Sequence, residues 1–345
     1  VRELSADEAA LLKAICENPD EDTPRLVYAD WLDEQGGESR AARAEFIRLQ
    51  VAEDRKPGYH PNGRSLTSRE HELLRKWNTP EGWKQDWPDF TGVSFSAHHF
   101  ERGFPIHLYA RSVRSFLKAA PALFSRVPAT WVRFLATTPR TAGELARSAF
   151  LARIHYLDQL AGEWSDEILA AFEATPHLAN LRKLVLGDPP LSHHGLRLFL
   201  ANASLTGLTE LMCLNVRTLG PFAVAAVTDS RSAGALESVC LQGCGLAGVS
   251  PAAAAAFVRL PSLRRLSIGS NGLGDEVAVA MAAAFGPRLT ELGLSYCDLT
   301  DAGAWVVVDS PHFRKGTTRL GLHGNRLSDA MKARIRDEFG GRVGI

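Results

Sequence analysis

The segment Leu263-Arg264-Arg265-Leu266-Ser267-Ile268-Gly269-Ser270-Asn271-Gly272-Leu273 decides the fold. Its spacing, Leu-x-x-Leu-x-Leu followed by Asn and another Leu, returns on both sides. Leu236, Val239, Leu241, Cys244 and Leu246 form the copy before it, and Leu289, Leu292, Leu294, Cys297 and Leu299 the copy after. Counted by the first apolar position, Ile154, Leu181, Leu208, Leu236, Leu263, Leu289 and Thr317 stand about 26 to 28 residues apart. Weaker starts at Trp131 and Gly103 extend the pattern upstream. Each copy opens with a short alternating run, as a strand does. A helical stretch follows, such as Val277, Val279, Ala280 and Met281, and stops before Gly286-Pro287. A unit this short cannot bury its apolar face alone, so the copies must stack into a solenoid.

A strand-turn-helix unit of this length resembles the ribonuclease-inhibitor subclass of leucine-rich repeats. The resemblance implies an α/β leucine-rich-repeat solenoid, a horseshoe with parallel strands inside and helices outside. It also gives the ninth position a role: an inward Asn or Cys satisfies backbone groups in the bend after the strand. Cys244, Asn271, Cys297 and Asn325 fill this column, whereas Gly162, Pro189 and Val216 break it in earlier copies. The copy starting at Leu208 carries one extra residue before Leu219, so these repeats are expected to be irregular.

The first hundred residues differ in kind. Ser5-Ala6-Asp7-Glu8 reads as a capping box ahead of Ala9, Leu11, Leu12 and Ile15, with a stop near Asn18-Pro19. Asp22-Thr23-Pro24 offers a cap and an early proline for a helix that Gly36-Gly37 closes. A third helix is expected from Ala41 to Ala52 and a fourth from Ser68 to Trp77, with Lys56 to Gly63 between them as a loop. Asp20-Glu21-Asp22-Thr23-Pro24-Arg25-Leu26-Val27-Tyr28-Ala29-Asp30-Trp31-Leu32-Asp33-Glu34, with Arg43 to Gln50, is similar to the repeat-companion domain that precedes leucine-rich repeats in many planctomycete proteins. Glu101-Arg102-Gly103-Phe104 resembles that family's lead into the repeats. The resemblance brings no assigned biochemical activity. It places a small all-α domain at 1–90, joined through an irregular segment from Trp77 to Trp87 to a solenoid at 91–345.

The chain of 345 residues has a formal net charge of zero, which removes the global electrostatic argument for nucleic acid or an anionic membrane. No apolar run reaches transmembrane length, and Val1-Arg2-Glu3-Leu4 lacks the apolar core of a signal peptide. The expected compartment is the cytoplasm. The five cysteines are expected to be reduced, with Cys244 and Cys297 in the ninth column, Cys213 inward on a strand and Cys16 on a helix. Neither Cys240 with Cys244 nor the adjacent pairs His98-His99 and His193-His194 has the surroundings of a metal site, and no cofactor is expected.

Catalytic motifs are absent from the sequence: there is no nucleophile elbow, phosphate-cradling lysine loop, His-Glu-x-x-His or dinucleotide fingerprint. Gly269 to Gly274 has turn glycines. The candidate partner surface is therefore the outward strand positions, which stacking brings into line. The third position of successive copies reads Lys183, Glu210, Ser238, Arg265, Glu291 and Arg319. This is either a ladder of exposed ion pairs that keeps the sheet soluble or a mixed-charge strip that selects a partner. Leu214, Gln242, Ser270, Tyr296 and His323 are expected near one edge, with Tyr296 and His323 as aromatic anchors. Trp305 on the following helix reads as core. In the repeat-companion segment, Arg25, Tyr28, Asp30, Trp31, Asp33 and Glu45 are either a recognition surface or parts of a small helical core, in which Tyr28 and Trp31 pack and Arg25, Arg43 or Arg48 pairs with Asp30 or Glu45. The tail from Gly340 to Ile345 is expected to fray.

The sequence thus points to a non-catalytic module, a monomer that recognises a protein partner through Lys183, Glu210, Gln242, Arg265, Glu291, Tyr296, Arg319 and His323. The N-terminal domain shields the first repeat or adds a contact. The alternative is an adaptor or enzyme whose helical domain carries an activity while the repeats choose the substrate. Arg25, Asp30 and Glu45 gathered in an open pocket would favour that alternative.

Overall fold

The computed structural model describes residues 3–55, 66–79, 81–87, 90–96, 99–159, 164–187, 190–284, 288–315 and 318–345. The expectations for Lys56 to Gly63, His98, Gly162, Pro189, Gly286-Pro287 and Thr317 fall outside them. The chain separates into two compact units, Val1–Leu135 and Ala136–Ile345.

The first unit begins with four helices: α1 (Ala6–Glu17), α2 (Thr23–Gln35), α3 (Glu38–Asp54) and α4 (Ser68–Trp77). Ser5 caps α1 by accepting from the Glu8 amide (3.2 Å), but Glu8 does not complete a capping box. Its carboxylate, buried in the core, accepts from the Tyr28 hydroxyl instead (3.1 Å). Asp22 makes no side-chain cap on α2 either, because its carboxylate takes Arg55 (2.8 Å) and Arg102 (3.6 Å). Of these four helices, α4 has the reciprocal box, between Thr67 and Glu70. Leu12, Ile15, Ala29, Leu32, Phe46, Ile47 and Leu73 form the apolar interior of the bundle.

Strands follow: β1 (Val93–Phe95), β2 (Phe100–Glu101), β3 (Phe104–Pro105), β4 (His107–Ala110) and β5 (Trp131–Phe134), with α5 (Val113–Leu123) between the last two. β4 pairs antiparallel with β1 and parallel with β5, with His107 opposite Trp131. β2 and β3 form a minimal hairpin around Arg102 and Gly103, both with positive φ (47° and 86°). A side chain at Gly103 would overlap Ile47 of α3, so the hairpin can lie on that helix only as glycine. Gln50 clamps it there, accepting from the Gly103 amide at 2.7 Å.

The second unit repeats strand and helix: α6 (Pro139–Ala146), β6 (Tyr156–Gln159), α7 (Asp166–Ala170), β7 (Lys183–Gly187), α8 (His193–Leu200), β8 (Glu210–Leu214), α9 (Ala223–Thr228), β9 (Ser238–Gln242), α10 (Pro251–Ala254), β10 (Arg265–Ser267), α11 (Gly274–Ala284), β11 (Glu291–Gly293), α12 (Asp301–Asp309), α13 (Pro311–Lys315), β12 (Arg319–Gly321), α14 (Asp329–Phe339) and β13 (Val343–Gly344). From β6 to β13 each strand pairs in parallel with the next. Leu211, Cys213, Val239, Leu241, Leu266, Ile268, Leu292, Leu294, Leu320 and Leu322 point into a shared interior and are essentially buried. The tail does not fray as expected. Val343–Gly344 adds a strand to β12, with Gly344 accepting from the Leu322 amide (2.6 Å), which covers an edge that would otherwise leave backbone groups unpaired.

The ninth-position column works as its residue types require. Asn271 is 5% exposed. Its Oδ1 accepts from the amides of Cys244 (2.8 Å) and Leu246 (3.2 Å) in the preceding repeat, and its Nδ2 donates to Leu241 (2.7 Å), Ile268 (2.8 Å) and Gly269 (3.0 Å). Asn325 does the same for Cys297 (2.9 Å) and Leu299 (3.1 Å). The cysteines contribute only a thiol donor, Cys244 to Cys213 O at 3.2 Å and Cys297 to Ile268 O at 3.5 Å. Burial pushes the Cys244 thiol up to about 12 and Cys297 up to about 11, and all five cysteines are buried and unbridged.

Candidate functional site

The parallel registers set Lys183 opposite Glu210, Glu210 opposite Ser238, Ser238 opposite Arg265, Arg265 opposite Glu291, and Glu291 opposite Arg319. The third position is therefore one column across six strands. Its two ends differ electrostatically. Glu210 accepts Lys183 at 3.1 Å and, across the short Ser238 on the intervening strand, Arg265 at 3.0 Å. Three charges of the ladder are thus half-buried and mutually compensated. Glu291 and Arg319 are exposed and form no ion pair among the described residues, although they face each other in register. The ladder is complete at one end and open at the other.

The edge residues fall into two rows rather than one. Gln242 lies opposite Leu214. One residue further on, the amides of Asn215, Gly243, Ser270 and Tyr296 each donate to the seventh-position carbonyl of the next repeat, those of Gln242, Gly269, Ser295 and His323 (2.8 to 3.0 Å). Gln242 and His323 thus belong to the strand row, and Ser270 and Tyr296 to the turn row. The turn row needs left-handed backbone: φ is 59° at Asn215, 65° at Gly243, 57° at Ser270, 56° at Tyr296 and 67° at Gly324. Glycine and asparagine accept that conformation at low cost, whereas for tyrosine it costs about 1–2 kcal/mol. Tyr296 nevertheless holds it, and the residue is 61% exposed. The ring lies over Gly324, where a Cβ would overlap it, and His323 lies over Gly344 in the same way.

Small residues fill the sheet face between these rows. Ser267, Gly269, Gly293, Ser295 and Gly321 leave the backbone of β10 to β12 open between the charged column and Tyr296. The structure gathers Arg265, Glu291, Arg319, Tyr296 and His323 around this open area, with Gln242 at its border. Lys183 and Glu210 lie at the compensated end.

Arg25, Asp30 and Glu45 do not gather in a pocket. Arg25 is buried and donates to the carbonyls of Glu21 (2.7 Å) and Pro19 (2.8 Å). Asp30 and Asp33 both take Arg48 of α3 (2.6 and 2.7 Å), and Glu45 takes Arg69 of α4 (2.7 Å). Tyr28 stacks on Trp31 at 5.8 Å and bonds Glu8. These residues tie helix to helix, which favours their structural reading.

Sequence reasoning missed His107, and its candidate ion pair for Arg43 with Asp30 or Glu45 does not form, since Asp30 takes Arg48 and Glu45 takes Arg69. The Arg43 guanidinium lies among Trp87, Trp83, Phe104 and Phe46, 4.6 to 5.9 Å from their ring centres, and its terminal nitrogens find no hydrogen-bond partner among the described residues. Desolvation lowers it to about 10. His107 stacks on Trp131 at 4.1 Å beside His99 and Tyr109, and burial, with His99 and Arg133 nearby, lowers it to about 3. Alternation marks His107, Tyr109, Trp131 and Arg133 as outward, which was the available signal. Trp305 is not core: it is half-buried, with the Arg334 guanidinium 3.3 Å above its ring.

Residues 259–282 and 288–304, which contain β10, most of α11 and β11, match the leucine-rich repeat family. The second unit has the α/β fold of a leucine-rich-repeat solenoid, and the family match covers two of its strands. No curated protein matches the chain. Among solved structures the chain is similar to the yeast Rad7 and Elc1 complex, at 16% identity and a TM-score of 0.47 over 97% of this chain and 71% of that one. A Bacteroides fragilis protein aligns at 14% identity and 0.40 over 66% and 78%, and a TLR13–ssRNA13 complex at 18% and 0.36 over 64% and 33%. Among the described residues no helix is long and apolar enough to cross a membrane, and no group of His, Cys, Asp and Glu is arranged to hold a metal.

Proposed function

We propose that the protein is a non-catalytic recognition module, acting as a monomer in the cytoplasm, that binds a protein partner on the sheet face of its leucine-rich repeats. The observation that carries this reading is Tyr296. It keeps an exposed aromatic side chain on left-handed backbone at a position that glycine fills in the following repeat and serine in the preceding one. The ring lies over Gly324 yet stays largely exposed, and exposed tyrosines anchor interfaces. Glu291 and Arg319 beside it leave one charge of each sign open to a partner, which sets orientation more than affinity. The glycines and serines between them let a partner approach the sheet closely.

The ion-paired end, Lys183 with Glu210 and Arg265, keeps the face ordered and soluble, and Arg265 and Gln242 form the border of the contact. The helical residues 1–90 serve as a companion domain. Pull-down from native lysate with the intact protein and with a Tyr296→Ala, Arg319→Ala double variant tests the reading. Partners retained by the first and lost by the second support it. Equal recovery by both overturns it.

A further inference from the structure

On the helical side of the second unit, three pairs of successive repeats are joined by a recurring stitch. An aspartate in the first turn of one helix accepts from the amide and hydroxyl of the Ser or Thr that precedes the next repeat's helix. Asp166 takes Ser192, Asp275 takes Thr300 and Asp301 takes Ser328, each at 2.8 Å from the amide and 2.6 Å from the hydroxyl. The stitch bonds two groups that helix termini otherwise leave unsatisfied.

Among the described residues the stitch is missing between α8 and α9, as it is between α9 and α10 and between α10 and α11, since the first turns of α9 and α10 carry no aspartate. His193 follows the capping Ser192 where Asp166 follows Ser165 and Asp301 follows Thr300, so an imidazole stands in the aspartate position. Phe222 occupies the cap of α9 and makes no side-chain bond to it. The two rings are 5.1 Å apart, and Phe222 is 68% exposed, more than any other large apolar side chain among the described residues. This departure opens a cavity of about 540 Å³ between the two helices. His193, His194, Arg197 and Arg231 line it, opposed by one carboxylate, Asp229. Neither arginine has an ion-pair partner among the described residues.

We propose that this cavity binds a small aromatic phosphomonoester of the nucleoside monophosphate class. Two arginines and two imidazoles against one carboxylate suit a dianion better than a monoanion, and guanidinium forks match phosphate oxygens. The exposed Phe222 face suits a planar ring, which prefers an offset or tilted aromatic neighbour. The volume lies within the range of small-ligand cavities.

The test is calorimetric titration of the full chain with adenosine monophosphate, and separately with adenosine, inorganic phosphate and benzoate. The expected result is saturable one-to-one binding of the monophosphate, with adenosine and phosphate each at least about tenfold weaker, since each supplies one half of the contacts. Arg197→Gln with Arg231→Gln should weaken it by about tenfold or more. His193→Asp with Phe222→Ser rebuilds the stitch, and should abolish binding while thermal unfolding stays the same or rises. The wild type failing to saturate at millimolar monophosphate overturns the proposal. So does benzoate binding as tightly, or undiminished binding by folded arginine variants.

Discussion

Replacing Asn271 by alanine should remove one of the most connected side chains described in the solenoid. The carboxamide accepts from two amides and donates to three carbonyls, and it lies 5% exposed, where water cannot replace all of these bonds. A buried donor left without a partner costs about 1–3 kcal/mol, so the amides of Cys244 and Leu246 alone set a loss of about 2–6 kcal/mol, with about 3 kcal/mol expected after local relaxation. Because repeats are coupled to their neighbours only, the damage concentrates between the copies starting at Leu236 and Leu263, and urea unfolding followed by circular dichroism should become broader as well as earlier. Amide hydrogen exchange gives the residue-level assay: protection at Cys244 and Leu246 should fall first. Asn271→Cys should recover part of the loss, because a thiol donates to a carbonyl as Cys244 and Cys297 do but leaves the two amides unbonded. A shift below about 0.5 kcal/mol with protection unchanged would refute the assignment of the column as the solenoid's polar seam.

Other perturbations have defined signs. Arg43→Met should raise stability near neutral pH by about 1–3 kcal/mol in chemical unfolding, because a well-packed apolar side chain replaces a buried cation whose terminal nitrogens lack hydrogen bonds. A loss of that size would show that its aromatic neighbours more than offset desolvation. His107 has a folded pKa of about 3, below its ordinary value near 6.5, so the unfolded chain binds the extra proton between these limits. Its stabilising contribution is complete above about pH 6.5 and is lost as pH falls toward about 3, and His107→Phe should flatten the acid limb of a stability–pH curve over that window. An unchanged slope would contradict its burial as a neutral ring. Gly303→Ala should break the stitch from Asp275 to Thr300, since the added methyl overlaps the aspartate carboxylate. Thermal unfolding should show a loss of about 1–3 kcal/mol, and tolerance of alanine would mean the stitch contributes little.

The parts legible in the sequence share a physical reason: they repeat. The strand column from Lys183 to Arg319 follows from a period of about 27 residues and from strand stacking, and the Asn271 and Asn325 bonds follow from a fixed position in the bend. Tyr296 could be named as exposed but not placed, because the left-handed turn shifts it one residue out of the strand row that holds His323. The burial of Arg43 was hidden because helical periodicity finds a buried face without showing which long polar side chain folds into it. The stitch from Asp166, Asp275 and Asp301 was hidden because its partners lie 25 to 27 residues away at uneven spacing. Its replacement by His193 and Phe222 becomes visible only beside the intact examples. Asp22, Glu8 and the Gly340 to Ile345 tail show the same limit: local signals name a cap or a fraying end, and tertiary partners override them.

The most direct test of the recognition surface is site-specific photo-crosslinking. A benzoyl-phenylalanine placed at Tyr296 and irradiated in native lysate should give a discrete protein adduct, while the same group at Val306, exposed on α12 of the helical side, should not. Adducts of the same pattern at both positions, or at Val306 alone, would contradict the assignment of the sheet face.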